Sequence, residues 1–158
     1  MIRQLLRGAA TGAAAGAAGT TALNVVTYLD MTLRGRAAST TPERTVDQIA
    51  TRTGTHIPGD EQQRGNRRTA LGALSGLMTG VAIGAGYGIA RACGFRPPLW
   101  AGALAVGGAA MIGADTPLAL LGVSDPRTWS RTDWLSDVVP HLAYGAVTAA
   151  TYPATDHR

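Results

Sequence analysis

Asp115, Asp137 and His141 are ionisable residues set in sequence that is otherwise almost entirely apolar. Asp137 and His141 are four positions apart, so a helix places them on one face. A carboxylate beside an imidazole raises the ring's affinity for a proton and fixes its tautomer, an arrangement suited to a proton relay or to support behind a metal ligand. Asp115 lies towards the end of the preceding apolar segment, which a short loop joins to the start of the segment carrying Asp137. The three side chains are therefore expected to meet at one face of a membrane. A charge at mid-bilayer costs at least about 2.5–3.5 kcal/mol on insertion scales, so such residues invite a functional reading by default. The plainer reading is a buried polar cluster that orients two segments and serves the backbone carbonyl left without a donor by Pro140.

The remaining chemistry is sparse. Asp30 is followed one turn later by Arg34, an i,i+4 ion pair that satisfies its charge. Cys93 is the single cysteine, which rules out an internal disulfide or a thiolate metal cluster. One histidine without a second in a span is a poor metal or haem signature. No phosphate-binding loop, nucleophile elbow or HExxH zinc motif is present. Gly84-Ala85-Gly86-Tyr87-Gly88 lies inside an uninterrupted apolar helix with no strand before it, which argues against a nucleotide loop. The expectation is a protein that is not an enzyme, with no catalytic, cofactor or metal residues.

The segments that must position these side chains are defined by glycine and by missing charge. Glycine recurs every fourth residue at Gly72, Gly76, Gly80, Gly84 and Gly88, and a shorter series starts at Gly8, Gly12 and Gly16. In water each interior helical glycine costs roughly 0.5–1 kcal/mol relative to alanine. In lipid, small residues at this spacing let helices approach backbone to backbone. A spacing of four advances about 40° per step against a 3.6-residue turn, so the stripe on the second segment winds and should touch more than one neighbour. Gly8–Leu29 and Thr69–Ala90 contain no charged residue. Twenty-two residues at 1.5 Å each span about 33 Å, enough for a hydrocarbon core of about 30 Å. The expected fold is all-α, a single membrane domain over residues 1–158: a bundle of four transmembrane helices at about 8–33, 69–90, 99–121 and 134–152. Arg3 and Arg7 ahead of the first segment also fit a signal peptide, but the charge-free run is longer than a usual signal core, so a retained helix is expected.

The polar loop 34–68 carries a short amphipathic helix. Thr40-Thr41-Pro42-Glu43 is a start signal, Val46, Ile49 and Ala50 share one face, and Gly54 is a stop. His56 to Asn66 reads as a connector. Pro117 should kink or shorten the third segment. Asp125-Pro126 and Ser130-Arg131-Thr132-Asp133 are successive turn and helix starts, and Trp100, Trp129 and Trp134 suit a membrane interface.

All 14 basic residues are arginine, and the net charge is +4. They flank apolar segments, which argues for membrane loops and against nucleic acid. Nine fall in the 34–68 and 122–133 loops. The other five, Arg3, Arg7, Arg91, Arg96 and Arg158, fall on the opposite side. The count puts the long loop in the cytoplasm and both termini outside; arginine without lysine, with so much alanine and glycine, fits a high-GC bacterial genome, so the expected location is a bacterial inner membrane.

The string Asp125-Pro126-Arg127-Thr128-Trp129, with Trp134, Asp137 and Pro140-His141-Leu142-Ala143-Tyr144-Gly145, resembles a family of small uncharacterised actinobacterial membrane proteins. More distantly, the plan is similar to YagU-like inner-membrane proteins of unknown function. The resemblance spans most of the chain, implies four membrane helices, and brings no activity or site residue. Together these readings point to a non-enzymatic scaffold or accessory subunit, with the bilayer and a second copy or another membrane protein as partners. The alternative is a small channel or proton-coupled transporter using Asp115, Asp137 and His141.

Overall fold

The computed structural model describes the backbone of residues 1–155 and side chains as far as residue 152. Within it are five α-helices and no strand: α1 (Ile2–Arg34), α2 (Thr41–Thr53), α3 (Glu61–Ala92), α4 (Leu99–Leu120) and α5 (Arg131–Thr155), with a 3₁₀ turn at Pro126–Thr128. Arg158, one of the five arginines on the minority side, lies outside the described residues. Two helices, α3 and α4, are long and apolar enough to cross a membrane by length and composition. The most apolar window of each is only 22% and 17% buried, so most of that surface points outward.

The four long helices run alternately up and down. α1 packs on α3 and α5, and α4 packs mainly on α5. One end of the bundle holds the start of α1, the 93–98 turn and the end of α5. The other, the loop end, holds α2 and both polar loops. Glycines set the closest approaches. A Cβ on Gly8 would lie 2.6 Å from the Gly88 carbonyl oxygen, one on Gly16 would lie 2.5 Å from that of Gly80, and one on Gly12 would collide with that of Gly84. The reverse holds from α3, where Gly84 and Gly88 meet the carbonyls of Gly12 and Gly8. The backbones themselves are the contact surface. Gly72 faces Pro42 of α2 instead, and Gly76 has open space beside it. The winding stripe thus meets α2 at one end and α1 at the other, and misses both between.

A second close approach joins α4 and α5. A Cβ on Gly107 would lie 2.7 Å from the His141 carbonyl oxygen, and one on Gly145 would lie 2.9 Å from Gly107 Cα. Neither glycine belongs to an i,i+4 series, so the spacing that marks α1 and α3 does not mark this contact.

Several helix ends differ from expectation. α3 starts at Glu61, inside the stretch read as a connector, because Asp60 and Gln63 form a reciprocal capping box: the Gln63 amide donates to Asp60 Oδ1 at 2.8 Å. The signal was the Asp-x-x-Gln spacing, obscured by Pro58-Gly59. Thr40 makes no side-chain cap; the Thr41 amide donates to Ser39 Oγ at 3.2 Å instead. Pro117 leaves α4 running to Leu120. Gly54 does end α2, at φ 65°, and Ser130 and Asp133 cap α5 reciprocally, with the Ser130 amide donating to Asp133 Oδ2 at 2.9 Å. α2 lies against the start of α3, where Arg68 pairs with Asp47 at 2.7 Å and Thr69 donates to Glu43 at 3.1 Å.

Candidate functional site

The α4–α5 contact carries the polar cluster. Gly107 lets α5 come close at His141, one turn past Asp137, and this brings α5 alongside the later turns of α4 where Asp115 sits. His141 Nδ1 lies 2.9 Å from the Asp137 backbone carbonyl and 3.3 Å from Asp137 Oδ1. Both neighbours are acceptors, so Nδ1 carries a proton. The His141 and Asp137 side chains keep only 12% and 20% of their surface. Asp137 Oδ2 is buried with no hydrogen-bond partner among the described residues. Asp115 is half-buried on α4, within electrostatic range of both Asp137 and His141. The three residues singled out in the sequence are therefore brought together.

Asp115 also borders a groove of about 280 Å³, lined by Met111, Ile112, Thr116 and Pro126. The groove is mostly apolar and open, and Ile112 on its rim is 67% exposed. Among the described residues no set of three His, Cys, Asp or Glu converges as metal ligands.

Asp30 is separate from this cluster. It accepts from Arg34 at 3.1 Å and from Arg36 at 2.5 Å, and Arg34 also donates to Ser136 at 2.7 Å. It ties the end of α1 to the start of α5.

The core between α1, α3 and α5 holds residues that spacing alone did not single out. Tyr144 and Tyr152, on one face of α5 two turns apart, are 1% and 2% exposed. The Tyr144 hydroxyl donates to the Gly80 carbonyl at 2.6 Å, and the Tyr152 hydroxyl to the Gly88 carbonyl at 3.4 Å. Each tyrosine reaches a carbonyl of the glycine stripe, where no neighbouring side chain covers the backbone. The i,i+8 repeat was visible in the sequence; its target, 64 residues upstream, was not.

No protein-family model, curated protein or solved structure matches this chain.

Proposed function

We propose that the chain is a four-helix integral membrane protein acting as a non-enzymatic scaffold or accessory subunit, with α1, α3, α4 and α5 as its spans. The observation carrying this reading is where small and large apolar residues point. On α3, Gly80, Gly84 and Gly88 face the interior, while Leu74 and Met78 point outward at 53% and 71% exposure. On α4, Gly102, Val106 and Gly107 are buried, while Leu104 and Ile112 are exposed. A soluble bundle does the reverse, because apolar area left in water forgoes roughly 25 cal/mol per Å². In hydrocarbon that loss vanishes, and packing through glycine backbones becomes the means of association. α1 and α5 fall below the hydropathy of α3 and α4 because glycine, threonine and Asn24 dilute the apolar run of α1, and Asp137, Pro140 and His141 interrupt that of α5.

The setting is a bacterial cytoplasmic membrane, with loop 34–68 on the cytoplasmic side by arginine count. The partner is a second copy or another membrane protein, docked on the exposed leucines and isoleucines. Membrane fractionation tests the core of this reading. The chain should stay in the pellet after alkaline carbonate and high-salt washes, and release by either wash would end it.

One observation favours a second reading, a small proton-coupled transporter or channel: Asp115, which borders a groove, lies within electrostatic range of the Asp137–His141 pair on the next helix. Proton uptake into liposomes by the purified protein, lost in Asp137→Asn and His141→Ala, would support it. Uptake retained by both variants, or absent from the wild type, would remove it.

A further inference from the structure

Charge is divided unequally between the two ends of the bundle. Nine of the ten acidic residues lie at the loop end or near it, among nine arginines, and several are paired there, as in Arg68–Asp47 and Arg127–Asp125. At the opposite end stand Arg3, Arg7, Arg91 and Arg96, with no acidic residue among the described ones.

Three of these arginines, Arg7, Arg91 and Arg96, border one pocket of about 240 Å³, together with Gln4 and Tyr152. At about 30 Å³ per water, that is room for about eight waters, or for a phosphate with part of its ester. Arg91 is held in place: its Nη1 donates to the Tyr87 hydroxyl at 3.1 Å, and its guanidinium lies 5.8 Å and 5.1 Å from the Tyr87 and Tyr152 ring centres. Its place in the last turn of α3 suits the negative end of that helix. Arg7 has no such reason. It sits in the second turn of α1, whose first turn holds no acid, and lines the same pocket as Arg91. Arg7 and Arg96 are exposed and, among the described residues, make no ion pair. An anion in the pocket offsets their charge.

We infer that the pocket framed by Arg7, Arg91 and Arg96 binds a phosphate group. Arginine forks suit phosphate oxygens, and three arginines lining one pocket supply more positive charge than a single carboxylate needs. Arg7 immediately precedes the first apolar run and Arg91 immediately follows the second, so the pocket lies at headgroup depth in a bilayer. The expected carrier is therefore an anionic phospholipid. The depth argument rests on the four-span reading; the phosphate chemistry does not.

The test is a thermal-stability titration of the full-length protein in neutral detergent, with phosphatidylglycerol and inorganic phosphate as separate probes. Arg7→Gln/Arg96→Gln is compared with wild type and with Arg44→Gln/Arg131→Gln from the loop end. Both pairs are exposed, and Arg91 with its tyrosine contacts is left intact. Phosphatidylglycerol should raise the melting temperature of the wild type and of the loop-end variant. At a fewfold per arginine, its apparent affinity for Arg7→Gln/Arg96→Gln should fall about thirtyfold. A matching response to inorganic phosphate alone assigns the site to a soluble phosphate ester; a response to the lipid only assigns it to the headgroup. Equal affinity in all three proteins, or no response to either probe, would overturn the inference. Failure of the carbonate wash test with a retained phosphate response would remove the membrane reading and leave the site.

Discussion

The hydroxyl of Tyr144 donates to the carbonyl oxygen of Gly80 at 2.6 Å, linking α5 to a helix from which it is separated by the whole of α4. Tyr144 is 1% exposed, so water does not compete for this bond. Removing the hydroxyl while keeping the ring isolates its contribution. Tyr144→Phe should lower unfolding stability in detergent by about 0.5–1.5 kcal/mol, the usual net worth of one such bond. An unchanged midpoint would show that the ring and the packing of α5 on α1 and α4 hold it in place without this bond.

Two glycines two positions apart on α3 provide an internal control. A Cβ at Gly84 would strike the Gly12 carbonyl and Gly16 Cα, whereas Gly86 has nothing within 4 Å. Gly84→Ala should force α1 and α3 apart and lower the melting temperature or the membrane yield. Gly86→Ala should leave both unchanged or raise stability by up to about 1 kcal/mol through the better helix former. The same logic makes Gly80→Leu more damaging than Ala82→Leu, because Gly80 abuts Thr20 while Ala82 is exposed. Equal tolerance within each pair would mean that the glycine stripe is not a contact surface.

The turn between α4 and α5 should be acid-labile. Hydrogen bonding to the Arg127 side chain holds the Asp125 carboxyl below the usual aspartate range, and hydrogen bonding to the Ser130 hydroxyl does the same for Asp133. A carboxyl that is more acidic when folded contributes its stabilisation above the unfolded value of 3.8 and loses it as pH falls through the folded value. The edge-to-face pair Trp129–Trp134, with ring centres 5.0 Å apart, reports on this turn. In a Trp100→Phe background, tryptophan fluorescence should stay constant from about pH 7 to about pH 5 and change below about pH 4. A transition centred near pH 6 would show that other groups, and not these two carboxylates, control the turn.

Cys93 is the chain's single cysteine and is exposed, at the end of the bundle away from the long loop. If loop 34–68 is cytoplasmic, a membrane-impermeant maleimide should label Cys93 in intact spheroplasts without permeabilisation. In a Cys93→Ala background, a cysteine placed at exposed Thr53 should label only after permeabilisation. The reverse pattern would invert the orientation taken from the arginine count.

By itself the sequence determined an all-helical chain, most of the helix ends and the charge-free lengths of the apolar runs. These depend on local chemistry: the αL stop at Gly54, the cap between Ser130 and Asp133, and long stretches without a charge. It also placed Asp137 and His141 on one face, because four residues is one helical turn. Tertiary structure alone decided how each helix is rotated against its neighbours. Gly72, Gly76 and Gly80 are equivalent in spacing, yet they meet α2, nothing and α1 in turn, because a four-residue repeat drifts around the helix while its neighbours stay put. The same rotation placed Tyr144 against Gly80, closed α4 on α5 at Gly107, and gathered Arg7, Arg91 and Arg96 from two helices and a turn into one pocket. Such contacts join residues far apart in the chain, and no local pattern encodes them.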